Sequence, residues 1–266
     1  MLANESLLEA SQYLQEMQRY WWPFCRIMAL ATTAPVLGHK SLPKRARVLL
    51  VLALTLALST ALPRPPQLDA LSAAGILAAI EQVAVGALLG LTLQLVFVIF
   101  SVVGEIVSTQ MGMSMARYND PVNGVSSSSV VGQLYFLLIA LLFLASDGHL
   151  LAVSVIYQSF VYWPVGSGLS YAGFATFIYA MAWVLSAATL LSLPLVFALF
   201  LVQFCFGLLN RISPAMNLFS LGFPMAILAS LACIHLTLPE LPENYLHLSR
   251  ELLDNLGHLL REASHG

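Results

Sequence analysis

The sequence predicts an all-α integral membrane protein, and three observations carry that prediction. Of its 266 residues 59% are hydrophobic and 9% charged, with a mean hydropathy of +0.84, against about 25% charged in soluble domains. From Leu150 to Asn210 there is no Asp, Glu, Lys or Arg at all. The remaining apolar runs are of helix length and are divided by breakers such as Pro63-Arg64-Pro65-Pro66 and Pro164-Val165-Gly166-Ser167-Gly168. A backbone crossing lipid satisfies its own polar groups, which makes such runs helices. The net charge of −2 gives no footing for nucleic acid or another polyanion.

Taken in order, residues 1–22 hold Glu5, Glu9 and Glu16 with no basic stretch ahead of an apolar core, so no cleavable signal peptide is expected. Leu7, Leu14, Met17 and Trp21 recur at helical spacing, and Trp21-Trp22 suits an interfacial belt. The first apolar segment, Phe24 to Leu37, is short of the roughly 20 residues of a crossing. A basic loop follows with Lys40, Lys44, Arg45 and Arg47 and no acid, which the positive-inside rule places on the cytoplasmic side. Val48 to Leu62 is the next segment, and a long helical pattern runs from Leu71 to Val103 across Glu81. A carboxylate there suits either a proton or ion site, or else a residue near the membrane surface or a protein-facing hydrogen-bond partner.

Val130 to Ala145 closes on Asp147-Gly148-His149, a turn signal. The uncharged run beyond it is expected to break near Pro164–Gly168 and to kink at Pro194. Leu218 to Leu238 completes a count of six or seven apolar segments. In the tail, Pro239 to Gly266, Tyr245, Leu248, Leu252, Leu256 and Leu259 share one face, predicting an amphipathic helix outside the bilayer, suited to a partner or the interface. The organisation expected is thus a helical membrane domain over 1–238 and an amphipathic tail over 239–266.

The segment from Gly104 to Gly132 is the polar interruption. It carries Met111, Met113 and Met115 at alternate positions, then Arg117, Tyr118, Asn119, Asp120 and Pro121, and four serines from Ser126 to Ser129. Backbone this irregular cannot face lipid and must lie in water, in protein or along a cavity. Methionines are deformable enough to seal an irregular constriction and yield to a substrate, and they serve equally well as ordinary packing. Cys25, Cys205 and Cys233 are scattered, with no disulfide framework and no metal spacing. Hydrolase, nucleotide-binding and metalloprotease motifs are absent, so no catalytic residue, cofactor or metal is expected.

Several stretches, in order and spacing, resemble the FliR family, the R subunit of the flagellar type III export gate and the T subunit of injectisomes. They are Arg26 and Pro35, Leu42-Pro43 with the basic residues after it, Gly104-Glu105, Gln110-Met111-Gly112, Asn119-Asp120-Pro121, Gly148-His149, and Asn210 to Phe219 continuing to Gly222-Phe223-Pro224. The resemblance spans about residues 20 to 240. It implies broken helical hairpins like a P-type unit joined to a Q-type unit, in one copy per gate with P and Q subunits and with the B subunit as a neighbour. It also implies an inner-membrane place in the basal body, passage of unfolded exported proteins, and no enzymatic activity. The family's pore plug maps onto about Ser108 to Val125, which makes Gln110, Met111, Gly112, Met113, Met115, Arg117, Tyr118, Asn119, Asp120 and Pro121 its candidates. Asn210, Arg211, Pro214, Asn217, Phe219, Gly222 and Pro224 are candidates for shaping a hairpin and contacting neighbouring subunits. From the residues alone, Pro214 equally just ends or kinks a helix and Arg211 anchors at the interface. The rival is a secondary transporter of a small solute with discontinuous helices, but no internal repeat is visible.

Overall fold

A computed structural model describes residues 19–39, 42–62, 72–113, 129–168, 171–212 and 218–265, with side chains except at 171–174, 176, 210, 218–221, 223 and 258–265. All regular structure among them is helical. The helices are α1 (19–33), α2 (Lys44–Ser59), α3 (Ala73–Gln110), α4 (Val130–Ala145), α5 (Gly148–Tyr162), α6 (Tyr171–Ile212), α7 (Leu218–Thr237) and α8 (Leu241–His265), with a 3-10 turn, Leu238–Glu240, between the last two.

Three helical stretches among the described residues are long and apolar enough to cross a membrane: α3, Phe177–Leu209 of α6, and Pro224–Gly257. Taking α4 and α5 together as one broken span makes four. Of the six or seven apolar segments read from the sequence, these three or four are, among the described residues, the ones long enough to cross. Helix α2 has 16 residues, short of a crossing, and its buried residues Val51, Thr55 and Ser59 form one narrow stripe. Helix α3 runs on to Gln110, past Val103 and into the stretch read as loop. Helix α6 continues through Pro194 and α7 through Pro224. Proline removes one backbone donor from a helix, and in these helices the bonds on either side hold the element together.

The chain divides into two compact units. The first comprises 1–95, 146–180 and 252–266. Its core gathers Ile27, Leu30 and Ala34 of α1, Val85, Leu89 and Leu93 of α3, Val155, Ile156 and Phe160 of α5, and Leu256 of α8. Apolar area alone does not join helices in lipid, so close backbone approach decides which pack. Gly86 and Gly90, one turn apart on α3, supply it. A Cβ at Gly86 would run into the carbonyl oxygen of Arg26, and one at Gly90 would collide with Thr33 Oγ1 and stand 2.7 Å from the carbonyl of Leu30. This is a small-xxx-small crossing of α3 on α1.

The second unit comprises 96–145 and 181–251. Phe97 of α3 packs on Phe136 and Phe143 of α4 at ring separations of 5.8 and 5.7 Å. Val184, Ala188, Leu195 and Leu199 of α6 and Ile234 of α7 are buried. The apolar face of α8 is covered by the chain itself: Leu241, Tyr245, Leu248 and, in the first unit, Leu252 and Leu256 are buried. Trp183 Nε1 of α6 donates to Glu251 Oε1 of α8 at 2.6 Å. The tail face read as free for a partner or the interface is thus spent within the chain wherever its side chains are described; Leu259 lies outside them.

Candidate functional site: the neck of the central loop

Helix α3 is ended by Gly112, whose φ of 76° is open to glycine at no steric cost. On the far side Ser129 starts α4 as its N-cap, its Oγ accepting the Gly132 N–H at 2.9 Å. That leaves the Ser129 N–H to be satisfied, and Glu105 of α3 does so, its Oε1 accepting this N–H at 2.7 Å. In a capping box the acid comes from the third residue of the same helix. Here it comes from a neighbouring helix, and it also brings a negative charge to the positive end of α4.

The two helices can meet so closely because Gly104 and Gly132 face each other. A Cβ on Gly104 would stand 2.6 Å from the Gly132 Cα, a distance no side chain tolerates. Gln203 of α6 donates its Nε2 proton to the carbonyl oxygen of Gln110 at 2.7 Å, tying the end of α3 to a third helix. The chain that departs after Met113 and returns at Ser129 is therefore held at both ends, by Gln203 at the tip of α3 and by Glu105 at the start of α4.

Of the residues singled out in this stretch, Gln110, Met111, Gly112 and Met113 are placed. Gln110 closes α3, Gly112 makes the turn, and Met111 is 2% exposed, so its side chain is core packing. Met113 is half-buried. Met115, Arg117, Tyr118, Asn119, Asp120 and Pro121 lie outside the described residues. Of the hairpin candidates, Asn210 and Arg211 fall in the last turn of α6 with Arg211 exposed, where a cation is favoured by the helix dipole. Pro214 and Asn217 are outside the described residues. Phe219, Gly222 and Pro224 belong to α7.

Lys44, Arg45 and Arg47 do not lie in a loop, as read from the sequence, but form the first turn of α2, with Pro43 as its N-cap. Arg47 Nη2 donates to the His39 carbonyl at 3.2 Å; Lys40 is outside the described residues. Cations at a helix N-terminus oppose the dipole by about 0.3–1 kcal/mol each, so helix stability does not account for them.

A second polar cluster escaped the sequence reading. Arg26, fully buried, donates from Nε to Gln82 Oε1 at 2.8 Å, from Nη1 to the Ser159 carbonyl at 2.8 Å and Oγ at 3.2 Å, and from Nη2 to the Trp163 carbonyl at 2.9 Å. Its guanidinium lies 4.1 Å from the Phe160 ring centroid. A cation at the carbonyl end of α5 also complements that helix's dipole. Gln82 Nε2 points on to Glu81 Oε1 at 3.4 Å, and the amides of Gly166 and Gly168 face the Glu81 carboxylate. Both glycines have positive φ, 85° and 86°, and Trp163 Nε1 donates to the Gly168 carbonyl at 2.8 Å. Glu81, 6% exposed, is thus the protein-facing hydrogen-bond partner. The sequence separations involved, 56 and 133 to 137 residues, leave no local pattern to find.

The chain matches the family model "Bacterial export proteins, family 1" over residues 17–252. It is 32% identical over 250 residues to the flagellar biosynthetic protein FliR of Pectobacterium carotovorum subsp. carotovorum, covering 93% of this chain and 95% of that one. It is 30% identical over 254 residues to FliR of Escherichia coli strain K12, covering 95% and 97%. A shorter match, 32% over 156 residues and 58% and 59% of the two chains, reaches the surface presentation of antigens protein SpaR of Shigella flexneri. A membrane protein of α-helices that matches this family nearly end to end belongs to it: the chain is a member of the bacterial export proteins, family 1, the FliR family, and a component of a flagellar, type III-like export apparatus.

Proposed function

We propose that this chain is the R-type, channel-forming subunit of a flagellar export gate in the bacterial inner membrane. It assembles in one copy with P and Q subunits, neighbours the B subunit, and lets unfolded proteins pass. The 114–128 segment, with Gln110 to Met113 leading into it, plugs the pore at rest. The observation that carries this reading is the neck: a glycine–glycine helix crossing with a cap given across it holds one end of a polar segment between apolar helices, and the Gln203–Gln110 bond holds the other. Apolar surface left uncovered supports an assembled state. The most apolar window of Phe177–Leu209 is 33% buried and that of Pro224–Gly257 17%, with Tyr179, Phe197, Phe200 and Phe204 of α6 exposed. The cations of α2, set against their own helix dipole, fit a cytoplasmic face under the positive-inside rule.

Co-purification tests the assembly. Expressed with its neighbouring membrane genes and extracted in mild detergent, the chain is expected to hold small multi-helix partners in unequal copy number. A lone monomer or symmetric dimer with those partners present would overturn it.

A further inference from the structure

The second unit contains a cavity of about 210 Å³ that no part of the neck uses. Phe100 and Val103 of α3, Leu190, Leu191, Pro194 and Leu195 of α6, and Leu241 of α8 wall it, and Tyr135, Thr237, Glu240 and Asn244 give it polar atoms. Pockets for drug-sized ligands run to about 300–1,000 Å³, so this one is the size for a single side chain. Thr237 Oγ1 donates to the carbonyls of Cys233 and Ile234, at 3.2 and 3.1 Å, and shares a hydrogen bond with the Tyr135 hydroxyl, so these two groups are already partnered. Pro194 has no N–H to close the helical bond on the carbonyl of Leu190. Glu240 adds an exposed carboxylate in the 3-10 turn that follows α7.

Among the described residues Glu240 forms no ion pair. The described arginines of this unit are Arg211 and Arg250; Arg250 lies roughly 15 Å further along α8 at the helical rise. We propose that the cavity receives a lysine or arginine side chain from a neighbouring gate subunit, its alkyl stem along Phe100, Val103 and Leu195 and its cationic head at Glu240. This rests on the assembly proposed above. A phospholipid acyl chain would fit the walls but would bring its phosphate beside a carboxylate, and so fits worse.

The test uses the full chain expressed with its neighbouring membrane genes. A photo-crosslinking p-benzoylphenylalanine replaces Leu190, which is 67% exposed and so tolerates change. The expected adduct is a partner peptide containing a lysine or arginine. Its yield falls on the order of tenfold in Glu240→Gln, as for breaking a hydrogen-bonded charge pair, and is kept in Glu240→Asp. Glu240→Lys loses the adduct, and an acidic replacement of the mapped partner residue restores it. Partners retained without an adduct, an adduct to lipid or to this chain's own 114–128 segment, or an adduct indifferent to Glu240→Gln would each overturn the proposal while leaving the assembly standing. If no partner is retained at all, both fall. A role for Glu240 confined to the N-terminal charge of α8 predicts equal yields in wild type and Glu240→Ser, which would also overturn it.

Discussion

At the scale of single residues, Glu105 and Arg26 do unlike work with the same kind of bond. Glu105→Ala removes the acceptor from the Ser129 N–H and is expected to cost about 1 kcal/mol, as for loss of a helix cap; Glu105→Gln keeps an acceptor and recovers most of it. Thermal unfolding in one detergent, wild type against both variants, checks this, and equal loss in the two would show that the cap does not depend on an acceptor. Arg26→Leu strands the carbonyls of Ser159 and Trp163 and the Glu81–Gln82 pair, with an expected cost of about 3–5 kcal/mol. Arg26→Lys is expected to rescue little, because a single ammonium cannot reproduce the guanidinium fork. Full recovery in the lysine variant would contradict that geometry. Neither role could be read from one sequence. Glu81 shows its membrane cost in the sequence but not Gln82 beside Arg26, and Gly104-Glu105 shows a motif but not that Ser129 is its partner.

Among the elements, helix contacts are decided by glycines rather than by apolar area. Gly86→Leu, or Gly90→Val, drives a side chain into α1 and is expected to destabilise the first unit by about 1–3 kcal/mol, as overpacking does. Gly104→Leu does the same at the neck. The check is yield of folded protein and unfolding midpoint in detergent; a neutral Gly86→Leu would mean that α3 and α1 are not held at that crossing. The long helices were legible from composition. Their ends were less so, because Val103 to Gln110 holds polar residues that α3 carries to its tip. Tail amphipathicity was legible too, but periodicity says that a face is apolar, not what covers it; Tyr245 and Leu248 turn inward onto the chain.

For the whole molecule, the fold class and family follow from an apolar composition and motifs spread over most of the chain. What composition cannot give is the closure of the 104–132 stretch, since that depends on Gly104 and Gly132 coming together across 28 residues of sequence. Helix discontinuity does not separate the transporter alternative from an export gate: α3 and α6 run on through Glu81 and Pro194, while α4 and α5 form one broken pair. The cavity at Glu240 has the size of a single side chain and sits beside bare apolar helix surface.

The measurement that bears most directly on the account is ion conductance of the assembled gate in a planar bilayer. Two forms are compared, the intact one and one in which residues 114–128 are replaced by a short Gly-Ser linker that keeps Glu105, Ser129 and both neck glycines. The account predicts a tight intact gate and a shortened form that leaks ions while still holding its partners. Equal conductance in the two, with partners retained, would contradict it.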